Sequence, residues 1–461
     1  MLPLNRRHFI RSTAFGTLGL SGFSNSLLGL ARFSNQPMSK ASRRMRITEI
    51  EIHEILLPFH DYNATWLFRY QGIDTQLRTV YIVKTDIGLE GYGESWGPAQ
   101  KKDQFAMYVG TDPFDWIADP QNLAINMAVY DLMGKYLGIP TWKLFGPRVR
   151  AWVPVAAWTM SQPPAAMAEE VRNVSRRGYR WMKYHVDVFQ NVVDQTAAMQ
   201  QVAPRGFKVH YDFNANSNFE AVYPVLKELE KFPVAGRIED PLRSIDHEGY
   251  RILREKCRLS ILVHHAPHDF FMQHQLCDGY MAGHSPIGHA MSVAALAETT
   301  NTPFMLQQAG GTINQAFLAH EAAVFKMATI DHVNLCHLWK DDVTVETMPV
   351  VGGSVQVPNG PGLGVSIDRN KLGKYSSQPR PKQSRFLVRM HFSGGPHIYF
   401  RFDSSVPLNR LGFDLPGPVA GYGNPVRTDF WDEEGSEEFE RMWKKTESGP
   451  VWTEPTMPQG R

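Results

Sequence analysis

Short apolar runs alternate with amphipathic helical segments from Val153 onward. The runs occupy residues 153–159, 179–187, 207–214, 235–241, 260–266, 279–285, 302–308 and 332–339. Most are followed by apolar residues at helical spacing, as in NFEAVYPVLKELEKF after the third run. Eight β-then-α units favour an α/β fold, a parallel sheet closed into a TIM-type (β/α)7-8 barrel. An open doubly wound sheet is the alternative, but no glycine-rich phosphate-binding turn follows any run.

The segments on either side of the predicted barrel have different patterns. Three strand-like runs begin after Arg46, and the turn Asp86-Ile87-Gly88 predicts a hairpin between the last two. Helical spacing predicts a helix over 123–137, which Gly138-Ile139-Pro140 would end. We therefore predict an α+β domain at 46–150, the barrel at 151–350, a return segment at 351–379 and a C-terminal extension at 380–461.

The N-terminus carries a separate pattern. The pair Arg6-Arg7 precedes a weakly apolar stretch from about Ala14 to Ala31, which is typical of a twin-arginine export signal with its linker at 1–45. A disordered basic tail is the alternative. Ser21 and Ser24 lie inside the stretch, so it would make a poor permanent membrane helix. We expect an exported, periplasmic protein without a stable membrane span, and the missing A-x-A site leaves cleavage open.

Composition excludes several classes of partner. The net charge is +2, from 48 basic and 46 acidic residues, and no long basic run favours nucleic acid or an anionic membrane. The three cysteines are too widely spaced for a CxxC zinc site, and their odd number does not fit a disulfide framework. Neither nucleic acid nor a membrane surface is therefore expected as a partner, while a homo-oligomer is left open.

Candidate chemistry lies where the predicted barrel strands end, because TIM-type barrels carry their active sites there. The polar residues at these ends are Lys183, His185, Asp212, Asn214, Glu239, His264, His265, His284, Gln307, Gln308, Asn334 and His337. Asp212 and Glu239 end neighbouring strands, and buried carboxylates that face each other repel unless a cation lies between them. The pair predicts a divalent metal site, with salt bridges to Lys or Arg as the alternative.

The motifs and their order resemble the mandelate racemase/muconate lactonizing enzyme group of the enolase superfamily. The resemblance runs from about Arg46 to Tyr375. GYRWMKYHVD is similar to the strand with that group's paired lysines, VHYDFNAN and GRIEDPL to its first two metal-ligand strands, and VPNGPGLGV to its return segment. The resemblance implies that residues 46–150 form a domain that caps the barrel mouth.

The resemblance also implies a reaction. Enzymes of this group remove the α-proton of a small carboxylate substrate and form an enediolate that a divalent metal stabilises. It implies a metal-dependent lyase, in particular a dehydratase of an acid sugar or related carboxylate. An isomerase or epimerase using the same site and a non-catalytic enolase-like barrel are the alternatives.

The metal ligands implied by the resemblance are Asp212, Glu239 and, in place of the group's third acidic ligand, His265. Mg²⁺ is the metal that the group uses. Imidazole suits Mn²⁺, Fe²⁺ or Zn²⁺ better, so His265 leaves these metals open. His265 could instead be a polar residue without a metal role.

The acid–base residues also depart from the group's pattern. Its Lys-x-Lys motif reads Lys183-Tyr184-His185 here, so His185 is expected to abstract the proton while Lys183 neutralises the substrate carboxylate or tunes His185. Gln307 replaces a histidine, so it could donate a hydrogen bond but could not transfer protons. This disfavours a two-base racemase. His284 is an alternative acid.

Two further residues are predicted to bind substrate. Asn214 shares a strand face with Asp212, and His60 lies in a segment, Pro58 to Phe68, that is predicted to be a loop of the capping domain. The aromatic residues of that segment could equally pack between domains.

Overall fold

The computed structural model describes residues 44–71, 75–187, 190–215, 217–380, 384–392, 396–401 and 426–453. The predicted export signal lies outside the described residues. Met45–Arg461 group into one compact unit. None of the helices in the described ranges is both long and apolar enough to cross a membrane.

An antiparallel sheet forms first. Its strands β1 (Ile47–Pro58), β2 (Thr75–Thr85) and β3 (Glu90–Trp96) pair in the order β1-β2-β3. Helix α2 (Leu123–Leu137) packs on β3, where Gly91 and Gly93 permit a close approach, because a Cβ on either would lie 2.0 or 1.9 Å from a backbone oxygen of α2. Two 3-10 helices, Lys102–Phe105 and Pro113–Trp116, and the short helix α3, Trp142–Phe145, complete this part.

The expected loop at Pro58–Phe68 is wrong for most of its length. Residues Asp61–Gln71 form helix α1, with Asp61 in its first turn and Arg69 in its last, as the helix dipole favours. Leu67 is buried against the core. The aromatic residues that suggested a substrate loop therefore belong to a packed helix.

The predicted TIM-type barrel is confirmed. Its parallel strands follow one another in chain order, and the last pairs with the first to close it. The strands are β4 (Trp152–Met160), β5 (Trp181–His185), β6 (Lys208–Asp212), β7 (Ala235–Glu239), β8 (Ser260–Val263), β9 (Gly279–Gly283), β10 (Phe304–Gln307) and β11 (His332–Val333). The helices between and after them are α4 (Pro164–Arg176), α5 (Val192–Val202), α6 (Phe219–Leu229), α7 (His247–Lys256), α8 (His268–Gln273), α9 (Ile287–Thr300) and α10 (Thr312–Val324).

The eighth strand is shorter than its apolar run suggests. It ends at Val333, and a 3-10 helix, Cys336–Leu338, follows. The Asn334 side chain accepts the backbone N–H of Cys336 at 2.7 Å, and this local bond competes with a longer strand. The short strand β12 (Ser354–Gln356) then pairs antiparallel with β4, and helix α11 (Arg369–Ser376) packs on β1.

The C-terminal extension forms a second antiparallel sheet. Strands β13 (Leu387–Phe392), β14 (His397–Arg401), β15 (Val426–Trp431) and β16 (Val451–Trp452) pair in the order β15-β13-β14-β16, and helix α12 spans Glu437–Lys445. This sheet contacts α1, because Phe386 packs edge-on against Phe68 at 5.5 Å and Asp432 accepts a 2.8 Å hydrogen bond from Arg69. The extension thus braces a helix of the N-terminal domain.

Candidate active site

Strand register brings the predicted carboxylates together. Asp212 ends β6 and pairs directly with Glu239, which ends β7, while His185 at the end of β5 pairs with Asp212 on its other side. Both carboxylates are buried. Carboxylate oxygens of Asp212, Glu239 and the following residue, Asp240, all lie within 4.8 Å of one another. We call these three residues the carboxylate cluster.

Lys183 occupies the centre of this arrangement. Its buried Nζ lies 2.9 Å from Asp212 Oδ2 and 2.9 Å from Glu239 Oε1, and it donates a 2.7 Å hydrogen bond to Gln307 Oε1. Burial by itself lowers the pKa of Lys183, but the charges of Asp212 and Glu239 raise it above its ordinary value. Lys183 is therefore the protonated partner of both carboxylates.

One ammonium does not balance the carboxylate cluster. Burial and the charge of Asp212 raise the pKa of Glu239 well above its ordinary value, and the same two causes raise the pKa of Asp240 to about 7. Glu239 Oε2 is buried and accepts no hydrogen bond within the described ranges, although His210 Nε2 lies 2.8 Å away. Oxygen donors with uncompensated charge are the ligands that a hard divalent cation prefers, so the cluster fits such an ion.

Asp240 was not anticipated from the sequence. Alternation along β7 predicts that it faces away from Glu239, but its backbone has φ of 46°, which ends the strand. Its carboxylate accepts the backbone N–H groups of His264 at 2.8 Å and His265 at 3.1 Å. Asp240 therefore ties the end of β7 to the end of β8, and the only signal for it was its place directly after Glu239.

His265 does not lie where a metal ligand beside Asp212 and Glu239 was expected. Its side chain is 54% exposed, and its Nε2 is 4.0 Å from Asp240 Oδ2. It groups with Asp240 and His264, rather than with Asp212 and Glu239. His264 has Nδ1 3.9 Å from Glu239 Oε1.

His185 stands beside the cluster. Its Nε2 lies 3.3 Å from Asp212 Oδ2, and its ring meets Trp158 edge-on at 5.3 Å. Burial lowers the pKa of His185 to about 4; Asp212 opposes this shift and Lys183 adds to it. The imidazole is therefore neutral at pH 7 and able to accept a proton.

His284 faces this group from the opposite side of the barrel. It follows β9, which is separated from β5 by three strands in either direction around the closed sheet. Its φ of 48° is unusual for a histidine, and its backbone N–H donates to Gln307 O at 2.6 Å. A positive charge on His284 lowers the pKa of His185. Strain at a strand end beside titratable groups is typical of functional sites.

The other predicted site residues divide into two groups. Asn214 is near the cluster, since its backbone N–H donates to Asp212 Oδ1 at 2.9 Å, and Gln307 contacts Lys183 as described. His60 is elsewhere. It packs on Tyr62 at 5.7 Å, and the charges that act on it come from Arg177, Lys340 and Asp61. The structure therefore does not bring His60 to the cluster.

A cavity of about 450 Å³ adjoins the barrel mouth at His284. It lies between the end of β3 and the start of α2 on one side and the mouth of the barrel on the other. Its lining residues are Glu94, Ser95, Trp96, Gln100, Gln121, Asn122, Leu123, Ala124, His284, Pro286, Ala309 and Asn314. Its volume is in the range of about 300–1,000 Å³ that small-molecule sites occupy.

Comparisons with known proteins agree with this architecture. Residues 166–371 match the family described as "Enolase C-terminal domain-like". The chain is 26% identical to a D-gluconate dehydratase of Thermoproteus tenax, over 56% of either chain, and 28% identical to a chloromuconate cycloisomerase of Pseudomonas putida, over 55% of this chain and 72% of that one. The chain thus spans little more than half of the D-gluconate dehydratase.

A solved enolase from Pseudomonas fluorescens, with bound magnesium, potassium and tartrate, superposes with a TM-score of 0.61 at 19% identity, covering 73% of this chain and 93% of that one. At this identity the likeness shows the fold. The barrel, the antiparallel N-terminal sheet and the carboxylates at the strand ends define a barrel protein of the enolase type. Residues 166–371 thus match the enolase C-terminal domain-like family, and the chain is similar to proteins of the enolase superfamily, in its mandelate racemase/muconate lactonizing enzyme-like group.

Proposed function

We propose that this protein is a metal-dependent dehydratase of an acid sugar or a related small carboxylate. The observation that carries the proposal is the neutral His185 at 3.3 Å from Asp212, at the edge of a buried carboxylate cluster. The similarity to the D-gluconate dehydratase of Thermoproteus tenax supports the substrate class.

Asp212 and Glu239 would hold the divalent cation, with Asp240 beside them. When bound there, the cation would hold negative charge on the substrate carboxylate. Magnesium in the Pseudomonas fluorescens structure supports Mg²⁺. The nearness of His264 and His265 to the cluster keeps Mn²⁺, Fe²⁺ and Zn²⁺ as alternatives.

The chain's own residues would carry the proton. His185 takes the α-proton, the bond from the β-carbon to its hydroxyl breaks, and the hydroxyl takes that proton from His185 and leaves as water. Lys183 keeps positive charge beside the substrate carboxylate. Gln307 points Oε1 at Lys183, so its amide N–H groups face away from that contact and could donate to the substrate.

An epimerase is the second candidate, and His284 favours it. The sequence disfavoured a two-base reaction because Gln307 replaces the histidine of the racemase pattern. The structure places another histidine, His284, across the barrel from His185. For this reaction His284 would first take up a proton and then return it to the opposite face of the α-carbon.

Exchange of the α-proton in D₂O tests the proposal. The metal-loaded protein should exchange the α-proton of at least one acid sugar in a broad panel, and loss of water to a 2-keto product separates a dehydratase from an epimerase. His185→Ala should abolish exchange and keep its metal, whereas His289→Ala on α9 should behave as wild type. Full metal loading without exchange on any panel member would favour the non-catalytic barrel.

We also propose that the protein is exported through its twin-arginine pattern, Arg6-Arg7. The support is the sequence pattern alone, and export of folded chains would suit a protein that takes up its metal in the cytoplasm.

A further inference from the structure

The cavity next to His284 adjoins the site just described. His284 lines it and donates its backbone N–H to Gln307 O, and the Gln307 side chain contacts Lys183. A substrate with its carboxylate end at the cluster would reach this cavity by extending past His284 toward β3.

The far wall of this cavity presents amide and hydroxyl groups. Gln100 and Asn122 face each other there, with Asn122 Nδ2 donating to Gln100 Oε1 at 2.6 Å, and Ser95 Oγ lies 3.3 Å from the Tyr81 hydroxyl. Each amide group still has N–H donors beyond this one contact. Gln121 adds a further amide. Such groups match the alternating donors and acceptors of a chain of hydroxyl groups.

Positive charge does not face this cavity. None of its lining residues among the described ranges is lysine or arginine, and Glu94 adds a carboxylate. The nearby Arg78 is fully buried and donates its terminal N–H groups to Glu94 at 3.1 Å and Asp342 at 2.6 Å. Burial and the charge of Lys183 lower the pKa of His284 to about 4, so His284 is also neutral at pH 7.

We infer that this cavity binds the uncharged polyhydroxyl end of a monocarboxylate sugar acid and discriminates against the corresponding diacid. The inference rests on the proposed function for the orientation of the substrate. A second carboxylate at the far end would lose water without gaining a cationic partner, and it would lie beside Glu94. A terminal hydroxymethyl group could hydrogen-bond to the amide groups of Gln100, Gln121 or Asn122 instead. These residues therefore determine specificity at the distal end.

Matched ligand pairs test this inference. D-gluconate and D-glucarate differ only at carbon 6, and so do D-galactonate and galactarate. Their affinities for the Mg²⁺-loaded full chain should be measured by calorimetry, with α-proton exchange followed separately. We expect the monocarboxylate of at least one pair to bind about tenfold or more tightly than its diacid.

Cationic substitutions provide the second arm. Gln100→Arg should reduce the discrimination or reverse it, because it supplies a partner for the distal carboxylate. Gln121→Arg, at another lining residue of the cavity, gives an independent variant. We call these two the rim variants. Both positions are exposed, so folding should be kept. Gln201→Arg, exposed near the end of α5, is the matched control and should leave the ratio unchanged.

The outcomes separate the two proposals. Preferred binding of a monocarboxylate without proton exchange would refute the proposed function and keep this inference. Equal or tighter binding of the diacids, binding of none of the four ligands, or an unchanged ratio in both rim variants would overturn it.

Discussion

Lys183 donates a 2.9 Å hydrogen bond to Glu239 inside the barrel, where both side chains are fully buried. The same ammonium contacts Asp212, so a single lysine serves as counter-ion to two carboxylates. The protein without metal therefore depends on Lys183 to keep these groups together.

Replacing Lys183 should make the stability of the fold depend more strongly on bound metal. Lys183→Met leaves the carboxylate cluster without its ammonium, and breaking a buried pair typically costs about 3–5 kcal/mol. In chelator we expect lower thermal stability than wild type, with a larger gain on adding Mg²⁺. Lys231→Met, at a side chain that is 64% exposed, is the control and should melt as wild type. A variant as stable as wild type in chelator would contradict the assigned role.

Asp240 should support the metal site chiefly by holding the end of β8. Asp240→Asn keeps one oxygen acceptor for His264 or His265 and tolerates the positive φ, so the chain should fold. Metal affinity should fall about 10–100-fold, as is usual for groups that orient ligands. Asp212→Asn should lower it further. Asp240→Ala should also destabilise the fold by about 1–3 kcal/mol, because two partly buried N–H groups lose their acceptor. Calorimetric metal titration and melting curves measure both effects.

Glu321 should make stability fall as pH rises. It is buried in α10 and accepts a hydrogen bond from Gln308 at 2.7 Å, and burial raises its pKa to about 8. Between the ordinary carboxyl pKa and that value, the folded chain holds a proton that the unfolded chain releases. As pH rises through this range, Glu321 therefore lowers the free energy of unfolding, by at most about 1.4 kcal/mol per pH unit.

The variant Glu321→Gln isolates this effect. It should unfold with a smaller decrease in stability between pH 5.5 and pH 7.5 than wild type, as measured by denaturant midpoints. The exposed Glu228→Gln should keep the wild-type slope. Identical slopes for wild type and Glu321→Gln would show that Glu321 is already ionised in the folded protein.

Export should depend on the paired arginines. Conversion of Arg6 and Arg7 to lysine keeps the charge but removes the twin-arginine pattern. The variant should accumulate in the cytoplasm of a host with this export route, whereas wild type should reach the periplasm in fractionation assays. Lysine at Arg32, in the following linker, should not alter the distribution.

The sequence alone determined the barrel and the order of its strands. Apolar periodicity is a local property, and it predicted the order of strands and the helix at Leu123–Leu137 at its observed bounds. It also predicted that Asp212 and Glu239 would meet, because parallel strands in chain order end at the same face. The motifs also indicated the resemblance to the enolase superfamily, because their order and spacing are visible without a structure.

Tertiary structure decided what depends on backbone turns and on contacts distant in the chain. The positive φ of Asp240 brings it beside Glu239 although strict alternation points it away, and the exposed His265 groups with Asp240 rather than with Asp212. Contact with Phe386 in the extension braces α1, a helix where a substrate loop was expected. Side-chain alternation predicts which face of a strand a residue occupies, but it does not predict the distance between side chains on different strands. Only the closed barrel could place Lys183 between two carboxylates and open a cavity that lacks cationic lining residues among those described.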